Sequence, residues 1–300
     1  RNPCLYGPCF VIVSFLIGFP ANLLALFAFS SKIHSKPHPT DILLLNLAVS
    51  DLLFLIILPL KMHEAASDME WTLPNFMCSI TAFVFFSSIY TSMLLLTAVS
   101  VVRYVAVVHP VSYHRLQKPM YTVVIGIVIW LTSAAHCSIV FITQHHPSRN
   151  NSHVCYADFT EEQLTVLLPV RLEMFVLLSL IPLVICFYCY TRCIVVLYSR
   201  PRISSQKKQR AIGMALGTLA VFFICVLPYS FSHLWGYAQG VSPSWRDYAL
   251  LLCTLNTCID PIISYFSSSA FRCTSRGFVL RRAGQVVPDQ QRPCTTSGDE

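Results

Sequence analysis

Apolar residues in this chain come in blocks of about twenty or more, and the polar residues gather between the blocks instead of alternating with them. Seven such blocks can be drawn. They run from about Phe10 to Phe29, Asp41 to Met62, Cys78 to Pro110, Tyr121 to Thr143, Val166 to Tyr198, the basic run Lys207-Lys208-Gln209-Arg210 to Tyr237, and Tyr248 to Phe266. Each is long enough as a helix to cross a hydrocarbon layer of about 30 Å. The pattern therefore predicts an all-α membrane protein, a seven-transmembrane helix bundle. The third block is the longest. At 1.5 Å per residue, Cys78 to Val108 would reach about 46 Å, so that helix must tilt, and Arg103 is its one charge.

Beyond the seventh block, Phe271-Arg272 and Phe278-Val279-Leu280-Arg281-Arg282 set apolar residues against basic ones at helical spacing. That reads as a short amphipathic helix lying on lipid at the inner membrane surface. Residues 1–283 form one membrane domain on this reading. The segment 284–300, with Pro288, Pro293 and several polar residues, is expected to be a disordered cytoplasmic tail.

Composition agrees with a polytopic membrane chain. Of 300 residues, 55% are hydrophobic and 12% charged, about half the charged share of a soluble domain. The net charge of +7 would suggest nucleic acid if it lay on one soluble face. Instead, 16 of the 21 Lys and Arg fall on the side that holds residues 30–40, 103–118, 192–210 and 272–300, which places the amino terminus outside and the carboxyl terminus in the cytoplasm. No nucleic-acid partner is expected. Most of the 13 cysteines sit inside apolar blocks, where a free thiol acts as a small hydrophobe; Cys78 and Cys155 do not. No nucleophile, base and orienter are grouped as in an enzyme, and no internal repeat suggests a transporter. The chain opens at Arg1 rather than at a methionine, and a start upstream is expected.

Each block carries one out-of-place residue, in order Asn22, Asp51, Arg103, Trp130, Pro182, Pro228 and Pro261. This series resembles the rhodopsin-like G-protein-coupled receptors. The resemblance implies a multi-pass plasma-membrane receptor without an obligatory cofactor, coupling through Arg103 and Tyr190 to a heterotrimeric G protein, with arrestin as a further partner. It also implies that Asp51, Asn22, Asn256 and Asp260 share water or an allosteric sodium ion, since lipid penalises lone polar groups. Cys78 and Cys155 both face the oxidising side and are expected to pair. Asn150-Asn151-Ser152 is a glycosylation sequon at Asn150. A retinal pigment is excluded, because residues 248–266 contain no lysine. Two departures matter. Val102 stands where an acid usually restrains the arginine, so raised basal activity is expected, and Val226 replaces the tryptophan that usually precedes the sixth-helix proline.

Two further arginines sit near the outer surface, Arg171 eleven residues before Pro182 and Arg246 fifteen before Pro261. With His233 and Tyr229 they could form an anion site, since a guanidinium hydrogen-bonds a carboxylate through two parallel contacts. The bland alternative is that each pairs with Glu173, Asp247 or a loop acid. Glu64-Ala65-Ala66-Ser67, Ser87-Ser88-Ile89-Tyr90, Leu168-Pro169-Val170-Arg171-Leu172-Glu173, Ser242-Pro243 with Trp245-Arg246, and Tyr265-Phe266-Ser267-Ser268-Ser269 are similar to the free fatty acid receptors, the short-chain members above all. That resemblance implies acetate, propionate or butyrate as ligand, held by Arg171, Arg246, His233 and Tyr229, with His136 helping to set tail selectivity. It implies coupling to the inhibitory G protein and to the phospholipase-coupling type. Phe86 stands where those receptors have tyrosine, which removes a hydroxyl from the tail pocket. The rival readings are a receptor for another small anion or a nucleotide, and a proton sensor built on His63, His145, His146 and His153.

Overall fold

The computed structural model describes residues 6–35, 37–67, 70–144, 155–156 and 159–282. Seven helices in it are long and apolar enough to cross a membrane. In chain order the helices are α1 (Tyr6–Ser35), α2 (Pro39–Ala66), α3 (Asn75–Val108), the short α4 (Pro110–Leu116), α5 (Pro119–Thr143), α6 (Glu161–Ser199), α7 (Ser205–Gln239), α8 (Arg246–Ser267) and α9 (Ser269–Arg282). The amphipathic segment expected after the last span is α9. The expected glycosylation residue Asn150, the outer histidines His145, His146 and His153, and the tail lie outside the described residues.

α3 is the centre of the bundle and packs against α2, α5 and α6. Its middle is buried without a break from Phe85 to Met93, and Tyr90 and Met93 have no exposed surface. α1 and α5 are peripheral, and their outer faces present Leu16, Ile17, Phe27, Val124, Ile127 and Leu131. Such continuous apolar surface is what a lipid-facing helix must offer.

Several of the out-of-place residues pair off for physical reasons. Pro261 cannot donate to the carbonyl four residues back, which is that of Thr257. Asn22 donates its amide to that oxygen at 2.9 Å and to Gly18 O at 2.9 Å, tying α1 to α8. Gly18 allows the approach, since a Cβ there would lie 2.9 Å from Thr257 Oγ1. Trp130 donates Nε1 to Asn46 Oδ1 at 3.0 Å and so fastens α5 to α2. In α6 and α7, π turns at Phe175–Leu180 and Val221–Val226 lie directly before Pro182 and Pro228. The wider turns carry the ladder past the missing donors.

α6 starts earlier than its apolar block suggested. Thr160 and Gln163 cap it reciprocally, with Gln163 N donating to Thr160 Oγ1 and Thr160 N donating to Gln163 Oε1. Cys78 at the outer end of α3 is bonded to Cys155, as expected. The loop is further held by Glu64, whose carboxylate accepts from Cys155 N at 2.9 Å and pairs with Lys61 at 2.9 Å.

Candidate functional site

The outer ends of α3, α6, α7 and α8 converge on two arginines. Arg171 and Arg246 are each only 4% exposed and lie within electrostatic reach of one another. Among the described residues no carboxylate comes within 4 Å of either guanidinium. Glu173, one of the acids that could have neutralised Arg171, faces His136 instead at 3.5 Å. Aromatic faces hold the cations in place of acids. Arg246 lies 5.5 Å from the centroids of Phe86 and Tyr229, and Arg171 lies 4.9 Å from that of Phe159. A ring face stabilises a guanidinium without cancelling its charge, so both remain able to attract an anion.

The position of Arg246 sharpens the point. It opens α8, where the positive end of the helix dipole disfavours a cation, and it is buried there. A buried charge in that place costs stability unless something compensates it. Arg246 Nε and Arg171 Nη2 have no hydrogen-bond acceptor among the described residues. Both thus keep donors for a ligand.

His233 and Tyr229 complete the floor. The Tyr229 and His233 rings meet edge to face at 4.7 Å, and His233 Nε2 hydrogen-bonds Tyr90 Oη at 2.9 Å. His233 Nδ1 is unspent. Phe86 stacks on Tyr229 at 6.0 Å and touches Tyr156 at 5.5 Å; Tyr156 in turn meets Phe159 edge-on at 4.9 Å. Tyr156 follows the disulfide and has a left-handed φ of 56°, a strained turn held by the bridge and by Glu64.

The fold therefore brings Arg171, Arg246, His233, Tyr229 and Phe86 together and adds Tyr90, Tyr156 and Phe159. His136 lies on the α5–α6 seam. Its Nδ1 donates to Thr132 O at 2.8 Å while Nε2 faces Glu173 at 3.5 Å, so both nitrogens are engaged. Tyr90 lay inside a string already singled out, but nothing in the sequence gave its hydroxyl a partner. Tyr156 and Phe159 carried no periodic signal, being loop residues.

Deeper in the bundle, Asp51 accepts from Ser92 Oγ at 3.3 Å, and Asp260 lies beside it. Asp51 Oδ2, both Asp260 oxygens, Asn256 Oδ1 and Ser88 Oγ have no partner among the described residues. Asp51, Ser88, Ser92 and Asn256 line a cavity with room for about one water, ≈ 10 Å³. The Asp51 carboxyl and the neutral oxygens of that lining, with Asp260 beside Asp51, are the oxygen donors that a hard monovalent cation takes. Asn22 reaches this group through Thr257, which also lines the cavity and whose carbonyl accepts from the Asn22 amide at 2.9 Å. At the inner face, Arg103 donates to the carbonyl and, at 2.9 Å, to the hydroxyl of Ser267. Tyr190 hydrogen-bonds Thr218 Oγ1 at 3.1 Å and links α6 to α7.

The family model described as 7 transmembrane receptor (rhodopsin family) matches residues 21–264. The chain is similar to free fatty acid receptor 3 of Mus musculus, with 43% identity covering 97% of this chain and 92% of that protein. It is also similar to free fatty acid receptor 2 of Homo sapiens, with 43% identity over 96% and 89% of the two chains. The chain belongs to the rhodopsin family of seven-transmembrane receptors, in its free fatty acid receptor branch. A further relative, 2-oxoglutarate receptor 1 of Mus musculus, is 34% identical over 75% of this chain and 66% of its own. This family member is a multi-pass plasma-membrane protein with its amino terminus outside, a signalling receptor and not an enzyme.

Proposed function

We propose that this free fatty acid receptor binds short-chain monocarboxylates such as acetate, propionate and butyrate, with the carboxylate held between Arg171 and Arg246. One observation carries the reading: two buried guanidiniums rest on aromatic rings, have no acid within 4 Å among the described residues, and keep unspent donors. His233 Nδ1 and the Tyr229 phenol supply further polar contacts, and Phe86, Tyr156 and Phe159 wall the acyl tail. The names of the similar receptors support the same ligand class.

Affinity is set by size. Propionate has about five heavy atoms, and the ceiling of about −1.5 kcal/mol per atom allows no better than low-micromolar binding. Binding would draw α6, α7 and α8 together at their outer ends around one shared anion. Signalling follows to the extent that this arrangement is better satisfied when the inner ends are open. The inner site would comprise Arg103, Tyr190 and the basic segment before α7, receiving a G protein of the inhibitory type and of the phospholipase-coupling type, and arrestin in turn. A sodium ion, where bound, would be held by Asp51, Asp260, Asn256 and Ser92, supplying the charge that two adjacent carboxyls lack. α9 would rest on inner-leaflet lipid.

The test is a cyclic AMP and calcium dose response across acids from formate to decanoate, repeated on Arg171→Ala and Arg246→Ala. Loss of response in both variants at normal surface expression is expected. An intact propionate response in Arg171→Ala would overturn the reading. A second reading, a dicarboxylate ligand, is favoured by the two uncancelled charges and by the similarity to a 2-oxoglutarate receptor. A lower half-maximal concentration for succinate or 2-oxoglutarate than for propionate would select it.

A further inference from the structure

We propose that Ser242 is a positioning residue of the anion site, aiming the Arg171 guanidinium so that one edge stays open to the ligand. The inference rests on the carboxylate reading above. Arg171 Nη1 donates to Ser242 Oγ at 3.3 Å, while Nη2 is unspent. A serine hydroxyl so placed fixes one nitrogen of the fork, and the plane of the group then decides how a carboxylate meets the rest.

The turn 240–245 that carries Ser242 is built to hold it. Gly240 closes α7 with φ +70°, a conformation that favours glycine, and Val241 N donates to Gly236 O at 3.2 Å. Gly236 has no room for a side chain, since a Cβ there would lie 2.8 Å from Val241 O. On the far side, Arg246 N donates to Pro243 O at 3.2 Å, and Trp245 stacks on Phe231 at 6.4 Å. The same short turn thus aims Arg171 from above and delivers Arg246 at its end. α6 and α8 are registered against each other through it before any ligand arrives, which lowers the ordering cost of binding.

The experiment uses the full chain in cells and reads propionate potency at matched surface expression. Hydrogen bonds to charged groups lie at about 1.5–3 kcal/mol, and at 3.3 Å the low end applies, so Ser242→Ala should be about tenfold less potent. Ser242→Thr, which keeps the hydroxyl, should restore potency to within about twofold. In Arg171→Lys, whose ammonium lacks the fork, adding Ser242→Ala should cost little more, because the interaction is already gone. Wild-type potency in Ser242→Ala would overturn the proposal. So would a loss that threonine does not rescue, or one that adds in full to Arg171→Lys; either marks a packing effect of the turn. These results are separable from failure of the ligand reading, which would show as an intact propionate response in Arg171→Ala.

Discussion

Gly213 and Gly217 offer a quantitative test of how the outer site reaches the inner face. They lie one turn apart on the inner half of α7 and face α8. A Cβ at Gly213 would come within 2.8 to 2.9 Å of three Phe266 ring carbons, and one at Gly217 within 2.8 Å of Ile263 Cγ1. Carbon contacts are most favourable near 3.5–4.0 Å, so a single methyl would force the two helices apart by roughly 0.7–1 Å. Ile263 is fully buried and has little room to yield. Overpacking of this kind costs about 1–3 kcal/mol, and the cost falls on the closed arrangement alone if the inner ends of α7 and α8 separate to admit a partner helix. The gain in helix propensity from glycine to alanine is common to both states and cancels. A resting open population of about 1% would rise to between roughly 5% and 60%. The assay is ligand-free G-protein activation at equal surface expression for Gly213→Ala and Gly217→Ala. Gly277→Ala, where a Cβ meets nothing within 4 Å, is the control and should stay at wild type. Wild-type basal signal in both inner variants would refute the idea that these halves part during signalling.

Glu64→Gln should loosen the loop behind Tyr156, because it removes the charge paired with Lys61 and weakens the acceptor for Cys155 N. A fall of about tenfold in propionate potency and a lower unfolding temperature are expected, and Cys78→Ser should do more. Asp51→Asn should abolish any dependence of agonist potency on replacing sodium with choline, since the orphaned oxygens then surround a smaller negative charge. Phe86→Tyr places a hydroxyl where the ring meets Tyr156 and Tyr229, and should shift the butyrate-to-acetate potency ratio toward acetate.

The seven spans, the disulfide and most of the arginine site were legible because each leaves a strong local mark. A charge or a proline inside an apolar block is costly, and that cost is visible in one sequence. Arg171 announced itself in this way, and so did the Asn22, Pro261 and Trp130 positions, though not their pairings with Thr257 and Asn46; Arg246 stood out by its place at the outer end of the last block. What stayed hidden depends on contacts between distant segments. The choice of aromatic faces over acids as partners of the arginines could not be read, because it depends on how Phe86 and Tyr229, on separate helices, and Phe159, before α6, come to lie against the guanidiniums. Glu64 stood in the sequence only as part of a string with a family resemblance, and its role appears only when Cys155, 91 residues on, is brought beside it. The diversion of His136 to Glu173 likewise needed the register of α5 against α6.

Val102 is the instructive case, because the sequence led to an unrestrained Arg103 and raised basal activity. In the fold the guanidinium is held, but by the end of α8 and not by an acid on its own helix. The last turn of a helix leaves carbonyls unpaired and carries the negative end of the dipole, so it attracts a cation as a carboxylate would, with less charge. The neighbouring groups repeat the device. Arg272 donates to Tyr265 O and Phe266 O at 3.1 Å, and Asp41 accepts from Ser268 Oγ at 2.8 Å while pairing with Lys32 at 2.8 Å. Arg103 is thereby restrained across helices, α3 to α8, where the usual acid would restrain it within α3. If this clasp quiets the receptor, Ser267→Ala should raise ligand-free signalling about tenfold, since the carbonyl remains and one hydrogen bond to a charged group is worth about 1.5 kcal/mol. Val102→Glu should then bring the Ser267→Ala variant back to wild type while changing the wild-type chain by less than about twofold. A tenfold drop in basal signal from Val102→Glu alone would show that Arg103 had been free to act, and that its contact with Ser267 restrains nothing.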